Sequence, residues 1–116
     1  MLQKQEKRIW DTPLYADFPR SEYQDRVGRV RTLMEEQKLD VLVFWDPANI
    51  RYFSGFHSLH YDSLTISPAV FVLPLVKDPV IAVRDFVAGV GHAYTYLDDI
   101  RIQPQRHVTR TVRQVP

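Results

Sequence analysis

Apolar positions between residues 20 and 38 recur at helical spacing: Tyr23, Val27, Val30, Leu33 and Met34 make one stripe, while Glu22, Asp25, Arg29, Glu35 and Glu36 fall elsewhere on the wheel. That pattern predicts an amphipathic helix. Pro19 or Ser21 would start it, and Glu22 suits the positive end of the helix dipole. Asp25 and Arg29 stand four apart in the favourable order and add weak support. The helix is expected to stop near Lys38, although no glycine marks the stop.

The next run, "DVLVFW" at residues 40–45, is apolar without alternation. Such a run suits a strand covered on both faces, so the Val41–Trp45 strand is expected at the centre of a sheet. Asp46-Pro47 then reads as an N-cap followed by proline at the first helical position. A short helix over 47–54 follows, with Ile50 and Phe53 turned inward and Gly55 ending it. Residues 57–67 read as a polar loop or the start of a strand. "AVFVLPL" (69–75) and "PVIAV" (79–83) are two more strands, and Lys77-Asp78-Pro79 between them predicts a hairpin. Residues 85–94 suggest a helix weakened by Gly89 and Gly91, and "DIRI" (99–102) a last strand. The order of elements predicts a small α/β domain: a mixed β-sheet flanked by helices.

The lead-in ahead of the first helix carries Pro13 and is expected to lie against the domain through Trp10, Leu14, Tyr15 and Phe18. Beyond the last strand, Arg106, His107, Arg110 and Arg113 occur without an acid, which reads as a tail or linker.

Composition narrows the class further. The 116 residues suit one domain with a modest core, and the formal net charge of +1 gives no global field for nucleic acid or an anionic membrane. The absence of cysteine excludes disulfides and thiol chemistry. The polar N-terminal stretch lacks the apolar core of a signal peptide, and no apolar run is long enough to span a bilayer. A cytoplasmic protein with no nucleic-acid or membrane partner is the expectation.

No catalytic motif stands out. G-x-S-x-G is absent, and Gly89-Val90-Gly91 lacks the third glycine of a phosphate-binding loop. His57, His60 and Asp62 fall within six residues, a set that zinc would accept. Their spacing is not that of a helical ligand pair, and a solvated loop explains them without a metal. Tyr52, Phe53 and Phe56 offer rings for stacking, with Phe53 expected in the core. Arg51 is either a fork for a carboxylate or an ordinary surface arginine, and spacing does not separate the two.

Taken in order, residues 18–56 carry a further signal: Phe18, then Glu22-Tyr23 and Arg26, then Leu39-Asp40-Val41-Leu42-Val43, then Asn49-Ile50-Arg51-Tyr52 with Gly55-Phe56. This series resembles the N-terminal domain of the creatinase, prolidase and aminopeptidase P family, and the later strands fit as well. The resemblance covers residues 18–103, leaving 1–17 as a lead-in and 104–116 as a tail or linker. It departs from the family at Pro19, where Ser or Thr often caps the helix, and at Lys38, where Gly often ends it. A lysine there needs either a left-handed backbone or a different termination.

The resemblance implies a ribonuclease H-like fold and a non-catalytic role. In this family the chemistry sits in a C-terminal "pita-bread" domain, which in the peptidases binds two divalent metals (Mn, Co or Zn) and cleaves before proline. Creatinase uses the same scaffold without metal. The chain alone is therefore expected to be inactive and to hold no cofactor. Its implied partners are that catalytic domain, a second copy in a homodimer, and a peptide or small-molecule substrate. Arg51, Tyr52, Phe56, His57, His60 and Tyr61 would border the substrate pocket, Asn49 and Gly55 would shape the turn, and Phe56 and the loop after it would point outward. The alternative is a protein-binding module of the same fold, as in a histone chaperone.

Overall fold

The computed structural model describes residues 3–4, 12–57, 69–84 and 91–103. Its elements are β1 (Gln3–Lys4), α1 (Arg20–Gln37), β2 (Val41–Phe44), α2 (Pro47–Ser54), β3 (Ala69–Pro74), β4 (Val80–Arg84), α3 (Gly91–Tyr94) and β5 (Ile100–Gln103). The five strands form one mixed sheet in the order β1-β5-β4-β3-β2. β4 and β5 run parallel; the other three pairings are antiparallel. The β3–β4 hairpin forms where the Lys77-Asp78-Pro79 turn predicts it.

α1 and α2 pack on one face of this sheet. Tyr23 and Met34 of α1 are buried, and Val27 and Val30 pack against the core between them. Leu33 falls outside the stripe and is exposed, contrary to the periodicity reading. The i,i+4 pair that forms on α1 is Glu22–Arg26, with Nε 2.9 Å from the carboxylate. From the sheet come Phe71, Leu73, Ile81, Val83 and Ile100, all essentially inaccessible to solvent. Phe53 of α2 lies nearly parallel to Phe71 at 6.2 Å and to Phe44 at 5.2 Å, which fixes α2 over β2 and β3. Such offset rings add about 0.5–1.5 kcal/mol per pair beyond the area they bury.

One expectation fails outright. β2 is not central; it lies at the margin of the sheet, paired only with β3 among the described residues. Leu42 and Phe44 face the core, whereas Val41, Val43 and Trp45 are exposed. An unbroken apolar run reads as two covered faces, but here one face is covered by α1 and α2, and on the other Val41, Val43 and Trp45 are exposed.

The helix ends explain the two departures noted in the sequence. Pro19 occupies the N-cap of α1 and makes no side-chain cap bond. Lys38 takes the left-handed conformation at φ 59° and ψ 45°. Its N–H donates to Glu35 O, and the Leu39 N–H donates to Met34 O at 2.8 Å. The chain thus adopts the glycine-type stop with a lysine, at a cost of about 1 kcal/mol relative to glycine.

Residues 12–18 run across the ends of α2 and α3. Tyr15 N–H donates to Ala93 O at 2.8 Å, and the Tyr15 ring meets Tyr94 at 5.2 Å. Pro13 is buried, but Leu14, Tyr15 and Phe18 keep about half their surface in solvent. Trp10 lies outside the described residues.

Candidate functional site

The candidate site is built on α2. Asp46 caps the helix: its carboxylate accepts from Asn49 N at 3.0 Å and from Asn49 Nδ2 at 3.1 Å. The backbone bond from Asn49 holds the Asp46 carboxyl below the usual carboxylate range, with burial opposing and the Asn49 side chain assisting. At the other end Gly55, at φ 82°, donates its N–H to Arg51 O at 2.8 Å and turns the chain sharply.

That turn decides where the predicted rim residues go. Phe56 swings inward and is 2% exposed, with its ring edge-on to Tyr94 at 6.2 Å. The expectation that Phe56 faces outward is therefore wrong: the left-handed glycine redirects the chain so that the residue after it enters the core. His57 is half-buried, edge-on to Tyr94 at 4.8 Å, with Nδ1 3.0 Å from Gly55 O. A carbonyl only accepts, so in this contact Nδ1 carries the hydrogen. His60 and Tyr61 lie outside the described residues, as does Asp62.

Arg51 and Tyr52 stay on the surface. Arg51 forms a two-pronged bond to Asp17, Nε–Oδ2 2.9 Å and Nη2–Oδ1 3.2 Å. Its fork does clamp a carboxylate, but one that belongs to the lead-in. That bond holds the Asp17 carboxyl below its ordinary range, with burial opposing and His57 and Arg26 assisting. A depressed carboxylate stabilises the fold at neutral pH and loses that contribution as pH falls through its folded value. With both side chains partly exposed the pair contributes at most about 1 kcal/mol.

Tyr52 lies under the guanidinium of Arg26, 4.2 Å from ring centroid to Cζ, and Arg26 Nη1 also donates to Tyr52 O at 2.8 Å. The same guanidinium sits 4.7 Å from the Phe18 ring. Arg26 thus joins α1, α2 and the lead-in. Tyr23 beneath it is 6% exposed; its hydroxyl has no hydrogen-bond partner among the described residues, and burial pushes its pKa up.

The outcome is a surface of Arg51, Tyr52 and His57 beside Asp17, Tyr15 and Arg26. A separate cleft of about 470 Å³ lies between α1 and residues 96–99, lined by Arg20, Arg31, Asp78 and Tyr96 among others. None of the predicted rim residues lines it. Among the described residues no group of three or more His, Cys, Asp or Glu gathers in a way that would hold a metal ion. No helix among them is long and apolar enough to cross a membrane.

A mixed sheet with two helices on one face, and a capped α2 whose Arg51 and Tyr52 stay on the surface, defines a small domain of the α/β class. Residues 26–115 match the family model of the creatinase/prolidase N-terminal domain, and the chain belongs to that family. It is 30% identical over 107 residues to the uncharacterized hydrolase/peptidase y4tM of Sinorhizobium fredii (strain NBRC 101917 / NGR234), covering 84% of this chain. The chain spans about a quarter (26%) of the length of that curated relative.

Solved structures share the fold. The creatinase/prolidase N-terminal domain of an X-Pro dipeptidase from Streptococcus pyogenes superposes with TM-score 0.60 at 14% identity, over 79% of this chain and 67% of that one. An XXA-pro aminopeptidase from the same organism gives 0.59 at 18% identity, over 80% and 67%. A proline dipeptidase from Streptococcus agalactiae gives 0.58 at 14% identity, over 80% and 68%. These relatives are peptidases or hydrolases by description, which does not favour the chaperone-like alternative.

Proposed function

We propose that this chain works as the non-catalytic N-terminal domain of a larger hydrolase of the Xaa-Pro peptidase type. In this reading it contributes to a homodimer, and its α2 rim borders the substrate pocket. One observation carries the proposal: the family match spans residues 26–115, yet the chain corresponds to only 26% of a hydrolase/peptidase relative. The rim supports it, because Arg51 and Tyr52 are held outward by Asp17 and Arg26. The reading also includes a cytoplasmic location, an Xaa-Pro peptide as substrate, and a divalent metal (Mn, Co or Zn) held by residues outside this chain. Residues 1–17 are its lead-in and 104–116 its link to the catalytic domain.

The purified chain supplied with Mn, Co or Zn is expected to release no proline or amino acid from Xaa-Pro dipeptides. Turnover above a buffer control that scales with protein concentration would overturn the proposal.

A further inference from the structure

The cleft between α1 and residues 96–99 is bounded at both ends by arginines of α1. Arg20 reaches across to the Tyr96 ring, 4.8 Å from Cζ to centroid. Stacked there, it pairs with no carboxylate among the described residues. Arg31 reaches across at the other end, donating from Nε to Pro74 O at 3.2 Å and from Nη2 to Lys77 O. Its fork is thus spent on two backbone carbonyls. Beside Lys77 the exposed Asp78 lines the same cleft, and its carboxylate has no ion-pair partner among the described residues. Asp99 also lines it but is held by Arg101 at 2.6 Å.

The stretch between the two ends is apolar, with Val27, Phe53 and Leu97. Gly28 lies among them on α1. Glycine inside a helix is unfavourable against alanine, and a Cβ there would meet nothing within 4 Å among the described residues. Packing among these residues gives no reason for the glycine. Close approach of another backbone to the helix does.

We infer that this cleft binds a short peptide with free termini, laid along α1 with its carboxylate at Arg20 and its ammonium at Asp78. A guanidinium fork suits a carboxylate, and Arg20 is the end arginine whose donors are not spent on carbonyls. Arg20 and Arg31 are eleven residues apart on α1, about 16 Å along the helix axis. An extended peptide spans at most about 3.5 Å per residue. With the reach of the flanking side chains, three or four residues connect the ends and a single amino acid does not. The volume of about 470 Å³ lies within the range of small-ligand sites. An apolar middle residue would cover Val27 and Leu97. The inference does not rest on the α2 rim, since none of Arg51, Tyr52 and His57 lines the cleft.

Titration of the nitrogen-15-labelled chain with the tripeptide Ala-Leu-Ala, followed through amide chemical shifts, tests it. Saturable shifts are expected at Gln24, Gly28 and Leu97, which line the cleft, with Arg51 and Tyr52 unmoved. N-acetylation or C-terminal amidation of the peptide should each weaken binding by at least about tenfold, and so should replacing it with free leucine. Gly28→Leu would fill the cleft and should abolish the shifts, with an unchanged circular dichroism spectrum. Asp78→Asn should weaken Ala-Leu-Ala by about tenfold yet leave the N-acetylated peptide unaffected, because the ammonium that Asp78 serves is gone.

No saturable shift at millimolar peptide would overturn the inference. So would shifts confined to residues outside the cleft, capped peptides that bind as well as the free one, or a Gly28→Leu chain that still binds. None of these results bears on the reading of the chain as an inactive domain, which its turnover tests separately.

Discussion

Gly55→Ala is expected to destabilise the domain by about 3 kcal/mol, enough to unfold a marginally stable domain of this size. Two costs combine. At φ 82° an L-residue is strained before any contact is counted. The added Cβ would also stand 3.0 Å from Tyr23 Oη and 3.0 Å from Tyr94 O, and the second of these is backbone. Tyr23 is buried and Tyr94 closes α3, so neither gives way cheaply. Gly28 supplies the control: it lies within α1, and a Cβ there meets nothing within 4 Å. Gly28→Ala should stabilise by up to about 1 kcal/mol through helix propensity alone. Urea denaturation of the two variants checks both signs; a neutral Gly55→Ala would show that the α2 turn is not held as described.

Thr95→Val is expected to cost about 2 kcal/mol, although it preserves volume and sits at 0% exposure. The hydroxyl donates to Ser54 O at 2.5 Å and accepts from Leu97 N at 3.1 Å. Ser54 in turn donates to Ile50 O and accepts from Phe56 N at 3.0 Å. This buried chain of bonds fastens the end of α2 to the segment between α3 and β5. Valine would remove the partner of the Ser54 carbonyl and leave a methyl in its place. Thermal denaturation should show the loss, and Thr95→Ser should recover most of it, because the hydroxyl is restored.

The elements most legible in the sequence are those fixed by neighbours along the chain. Asp46-Pro47 and Gly55 bracket α2 because capping and left-handed termination are local chemistry. The β3–β4 hairpin follows from its turn. What escaped depends on contacts between distant residues. Asp17 and Arg51 are 34 positions apart, and no spacing rule joins them. Arg26 was visible only as part of a motif; its place over Tyr52 and Phe18 needs the packing of three segments. The strand at Gln3–Lys4 is too short to leave a periodic trace. β2 misled for a different reason. Apolarity marks a face that could be covered, and Val41, Val43 and Trp45 are apolar yet exposed.

The central claim is that the α2 rim shapes a pocket whose reactive groups lie elsewhere in a larger protein. Steady-state kinetics of that full-length protein on an Xaa-Pro dipeptide series, before and after His57, His60 and Tyr61 are replaced together by Ala, test it most directly. A KM raised several-fold, or a reordered substrate preference, with kcat largely kept, is the predicted result; unchanged KM and unchanged preference would contradict it.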